Sequence, residues 1–158
     1  MKDLDYIYIC TVIGNMSGIP IRLYEDNRLT FYHSFVYLPK DPLTPFENNI
    51  LAIETHIGYF ITPYFHYYGI VSDGKHKIVI GPTIQTANNE QTLKELAFKC
   101  DVSSDDTIDF IIGIKSIVSM PLDSILQILC TMNYIMNDEK LGLEDIIIYD
   151  AEQQDLKT

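Results

Sequence analysis

The chain predicts an α+β domain: an antiparallel sheet built from two hairpins, with helices flanking it. Three observations carry that expectation. Between His56 and Ile84 an apolar, aromatic run (Tyr59 to Val71) meets Ser72-Asp73-Gly74-Lys75, and a second run (His76 to Ile80) stops at Gly81-Pro82. Asp-Gly is a preferred pair for a two-residue hairpin turn, because both central positions need positive φ. Between Pro20 and Phe35 the pattern recurs around Asp26-Asn27, two residues that tolerate the left-handed region. Helical periodicity brackets both hairpins, with Tyr6, Ile9, Cys10 and Ile13 ahead of them. Behind them, after Pro121, comes the stripe Leu122, Ile125, Leu126, Leu129, Met132 and Met136.

Residues 4–13 predict the first helix, ended by the loop Gly14 to Gly18. In the next hairpin a two-residue turn sets Glu25 opposite Arg28, a favourable charge pair, and so Arg22 opposite Phe31 and Ile21 opposite Tyr32. Pro39, Pro42 and Pro45 mark 38–48 as a loop. Thr44 as N-cap, Pro45 at the first helical position and Glu47 three residues on then predict a helix running to Glu54. The first strand of the central hairpin is bulky at both parities: Phe60, Tyr64, Tyr68 and Ile70 on one, Tyr59, Ile61, Phe65 and Tyr67 on the other. Such a strand belongs in a sheet covered on both faces, or covered on one face and shaping a pocket on the other. Pro63 cannot donate to a ladder, so a bulge or bend splits it. The Asp-Gly turn sets Val71 opposite His76, Gly69 opposite Ile78 and Tyr67 opposite Ile80.

Thr83 to Asn89 reads as polar loop, after which Asn88 or Asn89 caps a helix through Leu93, Leu96, Ala97 and Cys100. Ser103 to Asp106 leads into an apolar run, Ile108 to Val118, broken by Gly113. The last helix opens at Pro121 and ends at Asn137 to Lys140. Residues 1–142 are thereby one domain, and residues 143–158, with their charged end, a connector.

At 158 residues, 47% of them hydrophobic, the chain has room for a core and is too apolar for disorder. Its longest apolar runs fall far short of the ~20 residues of a membrane span. Met1-Lys2-Asp3-Leu4-Asp5 lacks the basic-then-apolar pattern of a signal peptide, which predicts a cytoplasmic protein. Eleven Lys and Arg against 22 Asp and Glu, a net charge of −11, oppose binding to a phosphate backbone or an anionic membrane. Cys10, Cys100 and Cys130 are odd in number and widely spaced, and read as buried free thiols.

No catalytic constellation emerges. His33, His56, His66 and His76 have no metal-ligand spacing, and no cofactor is implied. Gly69 to His76 nearly spells a phosphate-binding loop, but His76 stands where a magnesium-binding hydroxyl is needed and the segment is a hairpin turn. Glu54 and Asp109 stand out because each interrupts an apolar run. The marked enrichment is in tyrosine, 11 residues with no tryptophan. Tyr64, His66 and Tyr68 share a parity on one strand, and the register above places Arg22, Tyr24, Phe31 and His33 on one face of the other hairpin. If the two sets face each other, Arg22, Tyr24, His33, Tyr64, His66 and Tyr68 line an aromatic cleft gated by the loop 38–48. It would suit a small carboxylate, sugar or aromatic metabolite. Arg22 on a mid-strand position needs an anion, a carbonyl or open solvent, with Glu54 an available carboxylate. Close-packed tyrosines would instead make the chain an interaction module without a ligand. A small hydrolase or transferase using His66 or His33 with Glu54 is the remaining reading.

Taken in order, G-I-P-I-R-L-Y (Gly18 to Tyr24), Y-F-H-Y-Y-G-I-V (Tyr64 to Val71), I-V-I-G-P (Ile78 to Pro82) and S-M-P-L (Ser119 to Leu122) resemble the N-terminal region of bacterial AraC-type transcriptional regulators. The resemblance covers residues 4–150 and implies a non-enzymatic, PAS/GAF-like sensor or regulatory domain. It also implies DNA contact only through a C-terminal double helix-turn-helix, which does not follow Thr158 in this chain. Regulators of paired half-sites need two-fold symmetry, so a homodimer through the terminal helices is expected. The resemblance supplies no ligand residues.

Overall fold

The computed structural model describes residues 4–84 and 89–150. The fold is α+β. Six strands, β1 (Ile21–Glu25), β2 (Arg28–His33), β3 (Ile57–Ile61), β4 (His66–Ser72), β5 (His76–Ile84) and β6 (Ile147–Asp150), form one sheet in the order β2-β1-β5-β4-β3-β6. Among the described residues five helices accompany them: α1 (Tyr6–Ser17), α2 (Glu47–Leu51), α3 (Glu90–Lys99), α4 (Thr107–Lys115) and α5 (Leu122–Asn137). The sheet is covered on both sides, as the two-sided bulk of the aromatic strand requires. Helices α1 and α5 pack on one face with Cys10, Ile21, Leu23, Val71, Ile78, Leu129 and Met132. On the other face, Tyr24, Phe60, Tyr68, Ile70 and Val79 meet Leu43, Phe46 and Ile50, and then α3 and α4.

Several boundaries differ from the expectation, each for a local reason. Helix α1 runs on through Gly14 and ends at Gly18, whose φ of 73° and N–H to the Gly14 carbonyl close it. Gly14 is a contact residue, because a Cβ there would lie 2.7 Å from His33 Nδ1 on β2. Gly113 likewise lies inside α4, where a Cβ would meet the Tyr37 carbonyl and the Leu38 side chain. At Thr44 there is no side-chain cap: a 3₁₀ turn (Thr44–Phe46) precedes a helix of only five residues. Asn89 does cap α3, accepting from the Thr92 N–H at 2.8 Å. Residues 85–88 of the expected polar loop lie outside the described residues.

The single long strand split at Pro63 is two strands. Thr62 to Phe65 reverse the chain, and β3 pairs antiparallel with β4. The turn after β4 is longer than two residues, because Asp73 accepts through one carboxylate oxygen from the N–H groups of Lys75 and His76. Val71 therefore faces Ile78 and Gly69 faces Ile80, and β5 continues past Gly81-Pro82 to Ile84. In the first hairpin the turn is as expected: Asp26 and Asn27 both have positive φ, and Glu25 faces Arg28. A bulge at Thr30 then shifts the register, so Arg22 faces Tyr32 and Ile21 faces His33.

Residues 143–150, expected as the start of a connector, are built into the domain. Ile146 is buried beside α5, and β6 adds to the sheet edge parallel to β3, which makes the sheet mixed. The charged end, 151–158, lies outside the described residues.

Candidate functional site

The sheet face carrying Arg22, Tyr24 and Tyr68 is where the sequence places a cleft. In the fold it is filled by the chain's own segment 38–54. Arg22 is fully buried. Its guanidinium donates from Nη2 to Asp41 Oδ1 at 2.5 Å, from Nε to Asp41 Oδ2 at 3.3 Å, and from Nη1 to the Gly81 carbonyl at 2.8 Å. The anion that Arg22 needs is thus Asp41, from the proline-rich loop, and not Glu54, which is exposed. Asp41 is itself held, accepting from the Leu43 N–H at 2.9 Å. The guanidinium carbon also lies 5.0 Å from the Tyr32 ring centre and 5.9 Å from that of Tyr68. Burial works against its charge, but the Asp41 carboxylate outweighs this and holds the guanidinium pKa above its ordinary value.

Two further contacts fasten the same segment. The Tyr24 hydroxyl donates to Glu47 Oε2 at 2.8 Å, and burial together with that carboxylate raises the phenol pKa. The Lys77 ammonium, buried beneath α2, donates to the carbonyls of Ile50 (3.1 Å), Leu51 (3.0 Å) and Ile53 (2.7 Å). It thereby satisfies carbonyls that a helix C-terminus leaves without partners. Two buried cations and one phenol therefore clamp residues 38–54 onto the sheet.

The six expected ligand residues are brought together only in part. Arg22, Tyr24 and Tyr68 share the clamped face. His66 follows Tyr68 in parity and is buried at the far end of β4, opposite Ile84. Tyr64 is in the turn between β3 and β4, its ring 6.2 Å from that of Phe46. There it borders a shallow groove of about 660 Å³ along α3 with Lys94, Phe98 and Asp101. His33 is on the opposite face against Gly14 of α1, as the bulge at Thr30 dictates. Tyr68 is buried with a hydroxyl that makes no hydrogen bond among the described residues, and desolvation holds its pKa well above the ordinary phenol value.

Elsewhere, Tyr6 stacks on His76 with ring centres 3.9 Å apart and donates to Asp73 Oδ2, tying α1 to the β4–β5 turn. Burial alone would raise the Asp73 pKa. The Tyr6 hydroxyl and the N–H groups of His76 and Lys75 outweigh it and hold the carboxyl below its ordinary value. Burial pushes the Cys10 and Cys100 thiols up to about 12, which leaves them protonated and unreactive near neutrality. Asp109 is exposed, and among the described residues no group of His, Cys, Asp and Glu could hold a metal ion. No helix among them is long and apolar enough to cross a membrane.

The sequence reading missed Asp41 and Lys77. Asp41 carried a signal in the demand of a mid-strand arginine for an anion, together with its place in the loop expected to cover the face. Lys77 carried a weaker one, as a cation between His76 and Ile78 in a strand expected to be covered on both sides. No family model, curated protein or solved structure matches this chain.

Proposed function

We propose that the chain is a non-catalytic interaction module that works as a homodimer in the cytoplasm. It corresponds to the dimerisation role of the regulatory domain that the AraC-type resemblance implies. The observation that carries this reading is the clamped segment 38–54: the face suited to a ligand already holds the chain's own Asp41 against Arg22. Apolar side chains are left instead on the outside, among them Tyr37, Ile108 and Ile112. Exposed apolar side chains on a small domain are surface that a macromolecular partner can cover.

The expected route to a dimer changes with the fold. The α5 stripe is spent on the sheet: Ile125, Leu126, Leu129 and Met132 are buried within the chain. A second copy must therefore use another surface. Sedimentation velocity over a dilution series tests the proposal. The expected result is a reversible species at twice the 18.1 kDa chain mass at high micromolar concentration. A monomer mass independent of concentration contradicts it.

A further inference from the structure

We draw no further inference here: the strongest candidate, the shallow groove along α3 where Tyr64 and the exposed Phe98 stand beside Lys94 and Lys99, is an open surface, and nothing in the structure shows what covers it.

Discussion

Asp41→Ala should lower the unfolding free energy by about 3–5 kcal/mol, the usual cost of removing one partner from a buried ion pair. The guanidinium it abandons is fully buried and, among the described residues, keeps only the Gly81 carbonyl as an acceptor. The change should shift the melting temperature down by roughly 10 °C for a domain of this size. The pair is asymmetric, and that gives a second, more discriminating expectation. The Asp41 side chain is 36% exposed, so in Arg22→Met the orphaned carboxylate can hydrate, while methionine keeps much of the buried volume. Arg22→Met should therefore cost less than Asp41→Ala. Urea unfolding of both variants checks the order, and the reverse order would mean that Arg22 is not closed off from water by the segment that carries Asp41.

Lys77→Met is expected to cost about 3 kcal/mol, through carbonyls left without donors and not through lost volume. Ile53 and Leu51 offer their carbonyls to the ammonium at 2.7 and 3.0 Å, and Ile50 shares its own with the Ile53 N–H. Methionine fills the same space and donates nothing. Because Lys77 and Asp41 hold opposite ends of one segment, their effects should couple: the double variant should lose less than the sum of the two singles. Urea unfolding of the two single variants and the double variant measures both the cost and the coupling. Strict additivity would mean that residues 38–54 do not open as a unit.

What was legible in the sequence depended on the range of the interaction that decides it. Asp26-Asn27 sets its own turn through two positive-φ residues, and the Leu122 to Met136 stripe announces its buried side by spacing alone. Gly14 and Gly113 were misread as breaks because their reason lies across space: His33 in one case, Tyr37 and Leu38 in the other, each needing a helix without a Cβ at that point. One extra residue at Thr30 was enough to turn Tyr32 toward Arg22 and His33 away from it, since strand faces alternate residue by residue. The candidate site failed at the same level. Arg22, Tyr24 and Tyr68 were correctly grouped by parity, and the loop 38–48 was correctly placed over them. The acid that converts a gate into a filling, Asp41, is visible only once the loop's path is known. The parallel edge strand β6 had no turn to reveal it, because its partner β3 lies far back in the chain.

Native-state hydrogen exchange across residues 38–54, followed by NMR in a denaturant series, tests most directly whether the aromatic face is closed. The informative amides are those of Leu43, bonded to Asp41 Oδ1 at 2.9 Å, Phe46, bonded to the Leu43 carbonyl at 2.8 Å, and Ile53, bonded to the Ile50 carbonyl at 3.1 Å. If the segment is part of the core, these amides exchange only through global unfolding, within about 1 kcal/mol of the slowest amides in β4 and β5. Exchange through a local opening several kcal/mol below that level would contradict the account. It would leave Arg22 and the unpaired Tyr68 hydroxyl open to a small carboxylate in Asp41's place, and would return the chain to the class of ligand sensors.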